Sequence, residues 1–302
     1  YLMYLFHNAD GLHTEGIGAI AQYQIHTYTL SKILGVDFAS TDFINIQHYQ
    51  GNSTQEKFGK DITKFFNFPN KINPKDKNII SFENIDQRFI DFINENKRKK
   101  DLYVEIKKTD IMKVADINYR LWGSFVKELS PYISFDINKY YFDNNKLNIS
   151  LHVRNFIEGR DNDKSLSREY FSKDKRVEYY TNLIKKFDSV FKKYDKTRSL
   201  EKEYHIYSRS QTPGDMSQFE CFTQLNVPVK FHIDEHPLIS FYHLMKSDIR
   251  VVSNSSFSYL AALYGDGLSI VRDNFHHKIP SNVIYSDYNG NFDESLMTFE
   301  DN

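Results

Sequence analysis

Residues 148–161 read NISLHVRNFIEGRD, so a histidine, two arginines and two acids crowd the end of a strand-like run. By the two-residue period of a strand, Leu147, Ile149, Leu151 and Val153 share one face, and His152 and Arg154 share the other. An arginine fixed at a strand end can fork onto a diphosphate. An Arg154 paired with Glu158 or Asp161, beside a satisfied core His152, accounts for the same spacing. A second signal is RVVSNSSFSYLAALYG at 250–265, where a β-branched strand meets small hydroxyl residues and an Ala/Leu-rich helix. Ser255 and Ser256 suit a helix N-cap, and hydroxyls, first-turn amides and the helix dipole together hold anions. Plain capping explains the same residues. A third signal is Glu15-Gly16-Ile17-Gly18, where glycines let the backbone approach a ligand or a neighbouring strand.

These residues need strands and helices to carry them. The first forty residues read as strand, glycine turn, helix from about Ala19 to Leu34, a stop at Gly35, and a second strand. The stretch 45–78, with scattered Gly, Pro and Asn, reads as loop. NIDQRFIDFINENKRKK and KVADINYRLWGSFVKELS read as helices around the strand LYVEIK, and residues 131–146 as a linker. The alternation then restarts. LNISLHVR, EYHIYSRS, VPVKFHI, IRVVSN and GLSIVR read as strands. The helices between them are RVEYYTNLIKKFDSVFKKY, MSQFECFTQL, HPLISFYHLMKSD and SSFSYLAALYG. Alternating strands and helices predict parallel sheets covered on both faces, and two such runs predict two α/β domains with a cleft between them. Ligands of such sheets bind beyond the carboxyl ends of the strands.

Composition narrows the class. The 302 residues carry 39 Lys and Arg against 40 Asp and Glu, a formal charge of −1 that gives no nucleic-acid footprint. One cysteine, Cys221, rules out a disulfide within the chain and fits a reducing compartment. No apolar run approaches the roughly 18 residues of a membrane span. The chain begins at Tyr1 rather than methionine, which leaves open a preceding signal or anchor.

Three segments carry a family resemblance. EGIGAIAQYQIHTYTLSKILGVDF resembles the opening G-x-G-N-Q helix of the fucosyltransferase-like glycosyltransferases, a group that includes α-1,2-fucosyltransferases and protein O-fucosyltransferases. SLHVRNFIEGRD is similar to their H-x-R-R-x-D phosphate motif, and HPLISFYHLMKSDIRVVSNSSFSYLAALYGDG to the helix–strand–helix that cups the donor diphosphate. Together they cover roughly a third of the chain. The resemblance implies the GT-B architecture, with two Rossmann-like α/β domains: 1–140 on the acceptor side and 141–302 binding the nucleotide sugar. It implies an inverting, metal-independent transfer from a nucleotide-diphosphate sugar, GDP-fucose by family habit, to a hydroxyl of an oligosaccharide or glycoprotein acceptor. Donor-binding groups would be Gly16, Gly18, His152, Arg154, Arg209, Asp234, Ser255, Ser256 and Phe257. The general base would be Glu15, or else Glu158 or Asp161.

The departures bear on the donor. Asn155 stands where the family has its second arginine, the following acid is displaced to Glu158 or Asp161, and Ala19 replaces the usual asparagine. A UDP-sugar such as UDP-xylose or UDP-glucose, or glycan binding without catalysis on the same scaffold, stays open at this point. Two further patterns have metal-ligand residue types. DND at 161–163 matches an Asp-x-Asp motif but sits inside the phosphate-motif segment. HIDEH at 232–236 is followed at once by Pro237, so His232 and His236 do not share a helical face. That stretch reads as a loop at the donor base or ribose, with Asp234 or His232 hydrogen-bonding, and no metal or other cofactor is expected. Asn254, in the formal glycosylation sequon NSS, lies inside the proposed phosphate site, which favours a cytosolic or otherwise unglycosylated setting.

Overall fold

The computed structural model describes residues 3–8, 16–44, 46, 54–107, 119–129, 131, 142–143, 145–154, 173–194, 201–210, 212, 214–273, 279 and 281–297. The chain divides into two compact units, 1–137 with 278–281, and 138–277 with 282–302. The residues at which the sequence reading placed its domain boundary, 132–141, lie outside the described ones. Among the described residues no helix is long and apolar enough to cross a membrane.

The first unit is built on a four-stranded, wholly parallel sheet in the order β2-β1-β4-β3. Its strands are β1 (Met3–Phe6), β2 (Asp37–Phe38), β3 (Ile79–Phe82) and β4 (Leu102–Ile106). Helix α1 (Ile17–Leu34) follows β1 and ends where Gly35 turns left-handed at φ 67°, a conformation glycine adopts without a Cβ penalty. The helix is buried on nearly every side, taking in Gln22, Gln24, His26, Thr27, Thr29 and Ser31 as well as Ile20, Tyr23, Tyr28 and Leu30. A helix buried all round shows no single apolar stripe. Several of its polar side chains are tied to carbonyls: Gln24 Nε2 donates to the Thr41 carbonyl (2.8 Å), and Thr27 and Thr29 donate to carbonyls one turn back.

The expectation of loop across 45–78 needs correction. Residues Gln55–Phe66 form α2, opened by Thr54, whose hydroxyl accepts from the Lys57 amide at 3.3 Å. Phe58, Ile62, Phe65 and Phe66 bury one face of it, at helical spacing. Gly59 is not a breaker there. A Cβ on it would lie 2.2 Å from the Phe43 carbonyl oxygen, so the glycine lets helix and chain touch. Strand β3 also lies within what had no strand assignment. Helix α3 (Gln87–Asn96) is capped by Asp86, and α4 (Tyr119–Glu128) supplies Glu128 to Tyr28 (2.5 Å) and Lys32 (2.9 Å) of α1.

The second unit has a six-stranded, wholly parallel sheet. In chain order its strands are β5 (Lys146–His152), β6 (Glu201–Ser208), β7 (Val229–Ile233), β8 (Ile249–Val252), β9 (Leu268–Arg272) and β10 (Val283–Ser286). Their spatial order is β10-β9-β8-β5-β6-β7. The chain winds outward from β5 to β7, returns to β8 beside β5, and winds outward the other way. This is the winding of a Rossmann sheet, with its switch point between β5 and β8. Strand β10, in the C-terminal tail, is an addition to the sequence reading. The helix expected over MSQFECFTQL is shorter, a 3-10 turn at Ser217–Phe219 running into α6 (Glu220–Thr223).

One face of this sheet is apolar. Ile149, Leu151, Tyr204, Ile206, Ile249, Val251 and Ile270 pack with Leu183, Ile184, Phe187 and Val190 of α5 (Lys173–Tyr194). Each such fully buried side chain contributes about 1.5–3 kcal/mol. The alternate residues make the other face polar: Asn148, Ser150, Glu203, His205, Arg250 and Ser269, all buried. It is covered by α7 (Pro237–Lys246) and α8 (Ser256–Tyr264). Arg250 is 1 % exposed and donates to the carbonyls of Met245, Ser247 and Ala262, which finish α7 and α8. Gly265 and Gly267 make room for it, since a Cβ on either would come within 2.7 Å of its guanidinium.

Candidate functional site at the carboxyl edge of the second sheet

At the switch point, β5 and β8 end side by side. The predicted face alternation holds: Leu147, Ile149, Leu151 and Val153 all pack into the apolar core. His152 Nδ1 lies 2.7 Å from Ser253 Oγ, and Arg154 Nη1 donates to the Asn254 carbonyl at 3.2 Å. The strand that carries the histidine and arginine thus meets the loop that carries the hydroxyls. The His152 ring centroid lies 5.5 Å from that of Phe257. Packing around this half-buried ring, and then the Arg154 charge, push the His152 pKa down to about 3, so the imidazole is neutral near pH 7. Tyr180 of α5 donates to the His152 carbonyl at 3.0 Å and pins the strand end from the apolar side.

The loop is built by capping. Ser255 is the N-cap of α8 in extended conformation, and its Oγ accepts from the Phe257 amide at 3.3 Å. The Tyr259 amide goes to the Ser255 carbonyl at 3.1 Å. That last bond is the first ordinary helix bond; among the end amides, those of Phe257 and of Ser255, which donates to the Ser253 carbonyl at 2.7 Å, are engaged, which corrects the expectation that the first-turn N–H groups all stay available. Ser256 is the first helical residue. Ser253 reaches His152 and Ser258 (3.3 Å), so it orients the histidine, a part the sequence reading did not assign to it. Its signal was present in VVSNSS, but only register shows which serine faces the strand.

The neighbouring strand ends are laced to the same edge. Ser208 Oγ donates to the Val153 carbonyl at 2.5 Å. Asp234, left-handed at φ 58°, accepts from the Ser210 amide at 3.0 Å and from the Ser210 hydroxyl. Asp234 therefore holds the β6 and β7 loops together, and Arg209 sits half-buried between Ser208 and Ser210. His152, Arg154, Arg209, Asp234, Ser255, Ser256 and Phe257 thus all lie along one carboxyl edge.

Gly16 and Gly18 belong to the first unit. Gly16 caps α1 at φ −85°, ψ 172°, a conformation open to any residue, and Gly18 is buried in the first turn. Glu15, Asn155, Glu158 and Asp161, with the DND stretch, lie outside the described residues. The chain matches no protein-family model, and a search of curated proteins finds no match.

What the edge can do chemically follows from its groups. It offers a guanidinium, serine hydroxyls and a helix N-terminus at a sheet switch point, with an aromatic ring alongside. Such a set suits an anion carried by a flat organic group.

Proposed function

We propose that the chain is an inverting glycosyltransferase of GT-B organisation, whose second unit holds the diphosphate of a nucleotide sugar and whose first unit serves the acceptor. The observation that carries this reading is the meeting of Arg154 and His152 with the Ser253–Ser256 loop at the switch point between β5 and β8. Arg154, the serine hydroxyls and the α8 N-terminus take the negative charge that grows on the leaving nucleoside diphosphate, which makes the transfer metal-independent. The neutral His152 fixes the loop through Ser253 without adding a second charge. An acceptor hydroxyl is deprotonated by one carboxylate, Glu15 as the first candidate, or else Glu158 or Asp161.

A thermal-shift panel of GDP, UDP, dTDP and CMP, each with and without EDTA, tests the reading, because a ligand that binds the folded chain raises its melting temperature. One nucleoside diphosphate giving a dose-dependent rise undiminished by EDTA is the expected result, and its base names the donor class. The loss of the family's second arginine at Asn155 makes UDP as informative an arm as GDP. Glycan binding with no response to any nucleotide would replace the enzyme with a carbohydrate-binding protein.

A further inference from the structure

The polar face of the second sheet carries a histidine cluster that the diphosphate site does not use. His205 of β6 and His232 of β7 face each other, Nδ1 to Nε2, at 3.0 Å. His232 Nδ1 lies 2.9 Å from Glu235 Oε1, in the loop before α7. His243, one turn from the end of α7 and 4 % exposed, comes down on the same spot and meets Tyr207 Oη through Nδ1 at 3.0 Å. Ligand atoms of His232, Glu235 and His243 lie within 4.8 Å of one another. Phe142 packs on both the His205 and the His243 rings.

Hydrogen-bond polarity runs through this cluster in one direction. The Asn148 amide nitrogen donates to the carbonyls of Asp143 (3.1 Å) and Lys146 (3.0 Å), so its oxygen is what faces His205 Nε2 at 3.2 Å. Glu203 Oε2, a second acceptor, lies 3.4 Å from that nitrogen. His205 must therefore carry its proton on Nε2. Its Nδ1 is then an acceptor, and His232 must donate from Nε2. The other ring nitrogen of His232, Nδ1, points at the Glu235 carboxylate. Either a proton or a metal ion joins these two groups across 2.9 Å.

We propose that His232, Glu235 and His243 form a binding site for one divalent transition-metal ion of the zinc class. A proton in the gap would join only His232 and Glu235. It would leave Glu235 Oε2 as it stands, buried and without a hydrogen-bond partner among the described residues. A metal ion engages that carboxylate and reaches His243 as well. Two imidazoles and one carboxylate are a zinc-type donor set, whereas magnesium and calcium take oxygen ligands. Around a tetrahedral ion, ligand atoms sit roughly 3.3–3.5 Å apart, so small side-chain rotations close the site. The outer partners are those a ligating histidine requires: His232 donates from its second nitrogen to His205, and His243 is oriented by Tyr207. The ion would clasp α7 to β7, two strands from His152. It adds no step to the sugar transfer.

The test is calorimetric titration of Zn²⁺ into the chelator-stripped full chain, with Co²⁺ absorption reporting the coordination, and no nucleotide or activity enters the readout. One equivalent of Zn²⁺ should bind, with a tetrahedral Co²⁺ spectrum and no competition from excess Mg²⁺. Glu235→Gln and His243→Gln should each weaken binding by more than about 100-fold, the upper end of an outer-partner loss, and His205→Gln by about 10–100-fold. His236→Gln should leave it unchanged, although His236 belongs to the same HIDEH stretch. Glu235→Gln changes only a half-buried loop carboxylate, and circular dichroism checks that it folds. No saturable binding by the folded wild-type chain, or binding that survives both Glu235→Gln and His243→Gln, overturns the site and leaves a proton as the occupant. Loss of binding in His236→Gln with retention in Glu235→Gln places the ion elsewhere and overturns it equally.

Discussion

Arg154 reaches the Asn254 carbonyl from the end of β5, so its guanidinium is held where the β8–α8 loop opens. Removing a charge-assisted contact of this kind costs about 1.5–3 kcal/mol. Arg154→Ala should therefore weaken nucleoside-diphosphate binding by roughly 10- to 150-fold while leaving the parent nucleoside nearly unaffected. Titration of the pair, diphosphate against nucleoside, reads this directly, and equal losses for both would remove the phosphate role. Ser255 is a different kind of residue, since its hydroxyl also closes the first turn of α8. Ser255→Ala should cost about 1 kcal/mol in urea unfolding, and Ser255→Gly only a few tenths. If the alanine variant keeps full stability yet loses nucleotide, the hydroxyl serves the ligand rather than the helix.

At the scale of an element, α2 sets helix propensity against contact. Alanine in place of a helical glycine usually gains up to about 1 kcal/mol. At Gly59 the new Cβ would sit 2.2 Å from the Phe43 carbonyl oxygen, a backbone atom that cannot swing aside. Overpacking costs about 1–3 kcal/mol, so the steric term wins. Gly59→Ala should lower the melting temperature, and a rise would show that α2 does not touch the chain at Phe43. Gly265 follows the same logic in the second unit, where a Cβ would meet the Met245 carbonyl at 2.3 Å and the Arg250 guanidinium at 2.6 Å. The buried Arg250 needs those carbonyls, because a guanidinium out of water must be hydrogen-bonded. Gly265→Ala should destabilise the chain more than alanine at the exposed Lys246, measured in the same unfolding series.

For the whole molecule, stability should fall on the acid side for a reason found at the sheet edge. The folded His152 has a pKa near 3, below its unfolded value of about 6.5. Between those values the unfolded chain binds the extra proton. The stability held by the neutral ring is fully present above about pH 6.5 and is lost as pH falls toward 3. Its share of the slope reaches at most about 1.4 kcal/mol per pH unit. Urea titrations from pH 7.5 to pH 5 should show a steeper decline for the wild type than for His152→Gln. Parallel curves for the two would mean that the ring is hydrated enough to titrate normally.

Periodicity by itself determined most of the second unit. The alternation of Leu147, Ile149, Leu151 and Val153 announced a strand buried on one face, and Gly35 and Pro237 marked helix ends, because these are local steric and burial rules. The same rules missed α2, where Gly59 and the surrounding Asn and Pro read as loop. The reason for that glycine is a contact with Phe43, sixteen residues away in sequence, and no local rule carries it. They also read α1 from its apolar positions alone, since burial of Gln24 depends on the Thr41 carbonyl that folding brings close. Residue types along the carboxyl edge were legible, but their meeting was not. Which strands end side by side is set by the return of the chain from β7 to β8, and that return places Ser253 against His152 across 101 residues. The histidine cluster makes the same point. HIDEH shows His236 beside His232, a pairing that Pro237 already argued against, and the fold brings His243 to His232 instead, because α7 turns His236 into its own N-cap and lowers the next histidine onto the sheet.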